Sequence, residues 1–249
     1  MHLMQEQQQS EWFATWFNSP YYHALYQDRD EQEAQLFIER LCQHLRLQKG
    51  ISLLDLACGA GRHARVLHQL GFHVSGADLS ANSIAAAQEN APEDLHFFVH
   101  DMRDPLPCCY NVVMNLFTSF GYFDSIRENA RVMTSVYESL HPDGLFIIDF
   151  MNSEKVIREL MPRQEIKRDG IVFNIKKEVS NGRIVKTIAF QADGVSHFHQ
   201  EKVQALDLID FQQLLGDAGF EITQLFGSYT LEPFDAFHSN RLILICTKR

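Results

Sequence analysis

Leu53-Leu-Asp-Leu-Ala-Cys-Gly-Ala-Gly-Arg-His-Ala64 is an apolar, strand-like run with one carboxylate, Asp55, that passes into Gly59 and Gly61 before a helical pattern begins at Arg62. Glycine is used where the backbone must take a positive φ, or where a ligand lies so close that a Cβ would collide with it. A helix that opens immediately after such a turn presents unpaired amides to whatever lies there. The spacing therefore predicts a strand–turn–helix unit that cradles a cofactor.

Outward from this unit, apolar runs at 51–56, 72–77, 95–99, 110–116 and 145–150 alternate with helical patterns at 62–70, 81–90 and 124–140. This is a βαβ series, and strands that are apolar throughout imply a parallel sheet covered on both faces. His141-Pro-Asp-Gly144 is a stop between helix and strand. Between about Gln164 and Lys202, β-branched and aromatic residues alternate with charges, and Asn181-Gly182 signals a hairpin. We expect about three antiparallel strands there. A helix at 206–218, strands at 220–226 and 242–247, and N-terminal helices laid against the cofactor domain complete the pattern.

The chain has 249 residues and is 45% hydrophobic, enough for one substantial core with an elaboration. A net charge of −10 repels polyanions and disfavours nucleic acid as a partner. Locally the sign reverses: from Glu154 to Lys186 nine basic residues face five acidic ones, a net +4. The five cysteines include no Cys-x-x-Cys pair, which fits a reducing cytoplasm and gives no metal motif. No segment approaches the roughly 20 apolar residues that span a bilayer. The expectation is a soluble, cytoplasmic protein without membrane contact.

Gly59-Ala-Gly61-Arg-His-Ala64 also satisfies the loose dinucleotide pattern G-x-G-x-x-G/A, so a nicotinamide-dependent dehydrogenase has to be weighed. Asp78, closing the second strand, suits ribose hydroxyls in either class. Asp55 separates the two, because a carboxylate inside the first strand opposes a diphosphate and favours a cation. S-adenosylmethionine carries a sulfonium and an ammonium and no phosphate. Asp101, ending the third strand, could accept from an adenine amino group while Met102 packs on the ring.

At these residues the chain resembles the class I S-adenosylmethionine-dependent methyltransferases of small-molecule type. The resemblance rests on Leu54-Asp-Leu-Ala-Cys-Gly-Ala-Gly61, Gly76-Ala-Asp-Leu-Ser80, His100-Asp-Met-Arg103 and Asn115-Leu-Phe-Thr-Ser-Phe-Gly-Tyr122. Ala57 stands where the family has its first glycine. The resemblance implies an α/β fold: a Rossmann-like doubly wound sheet of seven strands, the last antiparallel, with an antiparallel β insertion after strand five and N-terminal helices. The implied organisation is a helical cap at 1–50, a cofactor domain at 51–160 and 205–249, and an insertion at 161–204 that serves as substrate lid or dimer contact. Asp55, Ala57, Cys58, Gly59, Gly61, Asp78, Leu79, Asp101, Met102, Asn115, Leu116 and Phe117 are the implied cofactor contacts. The leader Ser19-Pro-Tyr-Tyr-His-Ala-Leu-Tyr-Gln-Asp-Arg29 looks like that of N-methyltransferases acting on amino sugars and glycine. It adds Tyr22, Tyr26 and Arg29, the last as partner of the cofactor carboxylate.

The implied reaction is in-line attack on the cofactor methyl by a small-molecule acceptor, driven by positioning. It needs no covalent enzyme nucleophile, and a general base only for a protonated acceptor. His63, His100, His197, His199 and His238 lie in segments within reach. His197 and His199 have a two-ligand spacing without a third ligand, so no metal is expected. Phe120 and Tyr122 after strand four, and Tyr229, His238 and Arg241 at the last connection, are the substrate candidates. The acidic total and aromatic loop favour a neutral or cationic acceptor, whereas the basic insertion favours an anionic one. A scaffold that binds the cofactor without chemistry is the third alternative, and the insertion also permits a homodimer.

Overall fold

The computed structural model describes residues 12–26 and 31–248. The chain runs α1 (Trp12–Trp16), α2 (Pro20–Leu25), α3 (Glu31–His44), β1 (Ser52–Leu56), α4 (Arg62–Gln69), β2 (His73–Asp78), α5 (Ala81–Gln88) and β3 (His96–Val99). There follow β4 (Tyr110–Asn115), α6 (Ile126–Ser139), β5 (Leu140–Met151), α7 (Ser153–Arg158) and the strands β6 (Arg163–Arg168), β7 (Ile171–Ser180), β8 (Arg183–Ala192) and β9 (Val195–Gln204). It ends with α8 (Leu208–Asp217), β10 (Phe220–Phe226) and β11 (Arg241–Lys248).

The main sheet has seven strands in the order β10-β11-β5-β4-β1-β2-β3, and β11 alone runs antiparallel to the rest. Alternate residues feed two cores. Leu54, Leu56, Val113, Phe146 and Ile148 meet α6 and α8 through Val132, Met133 and Phe211. Leu53, Val112, Met114, Ile147 and Ile243 meet α3, α4 and α5 through Phe37, Leu67 and Ile84. Burial on both faces is why these strands read as continuous apolar runs. Capping boxes open α6 at Ser125 and Glu128 and α8 at Asp207 and Asp210.

Three expectations change. The insertion is a separate sheet of four strands, β6-β7-β8-β9, and not three. The additional strand, β6, is an exposed edge whose single apolar residue, Ile166, leaves no alternation to detect. β5 begins at Leu140, which pairs with Tyr110 before the register shifts to Val112 opposite Leu145, so the His141-Pro-Asp-Gly144 stop lies within that irregularity. Finally, α3 packs on the cofactor domain as expected and α1 joins its core through Phe13, but α1 and α2 also share a core with the insertion. Trp16 and Leu25 are buried with Phe173, Ile175, Ile188 and Phe190. Among the described residues no helix is long and apolar enough to cross a membrane.

Candidate active site

From β1 the sheet proceeds to β2 and β3 on one side and to β4 and β5 on the other. Ligands in open α/β sheets bind at such a switch, beyond the carboxyl ends of the strands. A cavity of about 300 Å³ lies there, lined by the ends of β1 and β2, the segments after β3 and β4, and the leader.

The floor is the turn after β1. The amides of Ala57 and Cys58 both donate to Ala77 O, at 2.7 and 3.0 Å. Ala57 takes a φ of +65°, the left-handed region that favours glycine. A Cβ on Gly59 would meet nothing within 4 Å, so the tip of the turn faces open space. Gly61 is different: its Cβ would stand 2.6 Å from the Phe97 ring, and it does not line the cavity. It is glycine for packing.

Asp78 accepts from Gly59 N through Oδ2 and from Ser80 N through Oδ1, each at 2.8 Å. A carboxylate has about four acceptor positions, so capacity for a diol remains. Burial raises its pKa, against the pull of those amides. Asp101 also lines the cavity, but Arg103 covers it, with Nη2 to Oδ2 at 2.6 Å and the Arg103 amide to Oδ1 at 2.9 Å. Burial alone would raise its carboxyl; the Arg103 bonds outweigh this and hold it low.

Asp55 does not share the row of acids expected of it. It lies deeper, 1% exposed, and Oδ2 accepts from Ala64 N at 3.1 Å. The N-cap of α4 is Gly61, which has no side chain to cap with, so the strand carboxylate takes that part. Burial lifts it to about 7, Asp78 adds to the rise, and the Ala64 amide and Arg62 oppose it.

After β4, Leu116, Phe117, Ser119, Tyr122 and Phe123 reach the cavity. Asn115 turns away, and its Nδ2 donates to Leu56 O and Ser119 O at 3.0 and 3.2 Å. Phe120 also departs from expectation: it is 1% exposed and packs on Phe211 in the core. Tyr229 and Arg241 stand behind the wall rather than in it, both bonded to the buried Asp149. His238 is exposed, bonded to Asp235 at 2.9 Å, and does not line the cavity.

The roof is aromatic. Phe13, Phe17, Tyr22, His23 and Tyr26 come from the leader, with Tyr22 and Tyr26 rings 4.8 Å apart. Tyr26 donates to Glu201 on β9 at 2.6 Å, the Trp16 indole donates to the same carboxylate at 2.8 Å, and Lys186 bonds the Tyr26 hydroxyl. Arg29 lies outside the described residues. His197 and His199 stack with Phe190, and His199 stacks on Trp16 at 4.2 Å. His63 and His100 line the cavity.

Sequence reasoning missed Phe13, Phe17, Arg103, Asp149 and Glu201. The run Trp12-Phe-Ala-Thr-Trp-Phe17, with aromatics four apart, could have marked the roof. Nothing local marks Asp149 or Glu201, whose partners are distant in sequence.

Comparison with known proteins agrees with this geometry. A family model described as a methyltransferase domain matches residues 47–213. The chain is 28% identical over 161 residues to the dTDP-3-amino-3,4,6-trideoxy-alpha-D-glucopyranose N,N-dimethyltransferase of Streptomyces venezuelae, covering 61% of this chain and 68% of that enzyme. It is 26% identical over 217 residues to a glycine/sarcosine N-methyltransferase of Parasynechococcus marenigrum (strain WH8102), covering 81% and 72%. It shares its fold with an S-adenosylmethionine-dependent methyltransferase from Clostridium acetobutylicum ATCC 824, with a TM-score of 0.77, 17% identity and coverage of 92% and 96%. Neither hydride transfer nor a scaffold without chemistry finds support among these relatives. The match spans about two thirds of the chain, which belongs to this family and is an S-adenosylmethionine-dependent methyltransferase.

Proposed function

We propose that this enzyme methylates the nitrogen of a small amine. The observation that carries the proposal is the aromatic wall of the cavity, whose lining includes Phe13, Phe17, Tyr22, Tyr26, Tyr122 and Phe123 and so the faces of aromatic rings. Such faces attract ammonium groups, and the methylated product of an amine is one. The basic run at 154–186 does not oppose this, because none of its basic residues lines the cavity, and Lys186, which reaches the roof at the Tyr26 hydroxyl, is paired with Glu201. Lys155 bonds His238 O, Arg158 bonds Phe237 O, Arg183 bonds Phe123 O, and none of the three lines the cavity. The two N-methyltransferases named above give independent support.

The residues present fit the cofactor. Asp78 retains acceptor capacity for a ribose diol, Leu79 and Met102 supply apolar surface for an adenine, and Gly59 leaves room at the turn. Bound there, S-adenosylmethionine supplies a methyl group on a sulfonium, an already activated leaving group. The chain contributes position, and the aromatic roof excludes water. Well-oriented reactants alone can account for about 7–11 kcal/mol of the barrier. The five free thiols support a cytoplasmic setting.

The test is incubation of the full chain with S-adenosylmethionine and a panel of glycine, sarcosine and amino sugars, beside their hydroxyl counterparts, read by mass spectrometry. Methylated amines with S-adenosylhomocysteine as coproduct are expected. Methylation of the hydroxyl compounds alone would overturn the amine assignment.

A further inference from the structure

Asp149 lies near the end of β5 and is wholly buried, and it does not itself line the cavity. Three separate stretches of chain converge on it. Oδ2 accepts from the Phe117 amide at 2.8 Å and the Tyr229 hydroxyl at 3.1 Å, and Oδ1 accepts from Arg241 Nε at 2.7 Å. The Thr118 amide donates to Asp149 O at 2.9 Å, and Arg241 Nη2 donates to Thr118 Oγ1 at 3.0 Å. One carboxylate–guanidinium pair thus holds both residues of the turn that leaves β4.

That turn needs holding. Phe117 and Thr118 have φ of +58° and +63°, two consecutive left-handed residues without a glycine, one of them β-branched. Such conformations persist only when the surroundings over-determine them, and they gather at ligand sites. The consequence here is the place of the Phe117 ring, which lines the cavity and stacks with His63 at 4.7 Å and Tyr229 at 5.0 Å. Phe37 backs Tyr229 at 4.6 Å.

We propose that Asp149 and Arg241 are positioning residues of the cofactor site, acting through the Phe117–Thr118 turn to set the Phe117 wall. The assignment rests on the cavity being the S-adenosylmethionine site. A charged pair suits the task because both partners are directional: the carboxylate fixes an amide and a hydroxyl, and the guanidinium fork reaches a second hydroxyl. An apolar pair would fill the volume without specifying the turn.

Calorimetry with S-adenosylhomocysteine on the full chain tests this. Tyr229→Phe keeps the ring stack and removes one bond to Asp149; Thr118→Val keeps the shape and removes the bond to Arg241. Each is expected to remain folded and to raise Kd about threefold to tenfold, the effect of one hydrogen bond. Thr118→Ser, which keeps the hydroxyl, should restore the affinity. Tyr229→Phe added to Phe117→Ala should raise Kd by less than it does alone, because both act through one ring. A merely structural role would lower the unfolding midpoint and leave Kd unchanged. Unchanged Kd in both folded variants, or additive effects in the double variant, overturns the assignment. No binding by the unaltered chain would overturn the cofactor reading itself and this assignment with it.

Discussion

Asp55 and Asp78 are adjacent acids with different tasks, and pH separates them from ordinary carboxylates. The Asp55 carboxyl rises from its ordinary 3.8 to about 7 because it is buried. Between pH 4 and 7 the folded state therefore keeps a proton that the unfolded chain has released. Stability must fall as pH rises through that window and level off above it, at about 1.4 kcal/mol per unit. Asp78, also raised, adds a slope of the same sign. Asp55→Asn retains an oxygen for the Ala64 amide without the charge, so urea midpoints at pH 5 and pH 8 should converge in the variant. An undiminished decline would show that Asp55 is not its source. Asp78→Ala should instead weaken S-adenosylhomocysteine binding by about 1–3 kcal/mol in calorimetry, since ribose hydroxyls lose their acceptor. The place of Asp78 at the cavity was legible because it ends a strand beside the glycine turn. The task of Asp55 was not, because it depends on a helix cap that lacks a side chain.

At the scale of elements, the β1–α4 unit shows how a motif joins two causes. Gly59 faces open space, whereas Gly61 is held by a φ of +79° and by Phe97, 36 residues away. Gly61→Ala should cost about 2–4 kcal/mol, combining left-handed strain with overpacking. Phe97→Leu in the same chain should recover the packing part and not the strain, so urea unfolding of the two variants divides the loss. Equal stability of Gly61→Ala and the parent chain would refute both causes. The same limit governed the other elements. Buried strands announce themselves by hydrophobicity, so β1, β2, β4 and β11 were legible within a residue or two. The edge strand β6 buries almost nothing and left no periodic trace.

For the whole molecule, the decisive feature is that the roof of the cavity is anchored on the insertion. α1 and α2 line the site with one face and share a core with β7 and β8 on the other, while Glu201 bonds both Trp16 and Tyr26. A leader that peeled away alone would expose Trp16, now 1% exposed, and strip the Lys186–Glu201 pair of its bonds to Trp16 and Tyr26. Admitting a ligand should therefore move leader and insertion together. Both tryptophans of the chain, Trp12 and Trp16, lie in α1, so fluorescence reports this directly. In a Trp12→Phe chain, Trp16 emission should have the short wavelength of a buried indole and should not shift on titration with S-adenosylhomocysteine. Glu201→Gln in that background removes the charge shared by Trp16, Tyr26 and Lys186, and should shift emission to the red before ligand is added. A ligand-induced blue shift in the chain with Glu201 intact would mean that the leader stands free of the β-sheet until the site is filled, and would refute a roof that moves as one body.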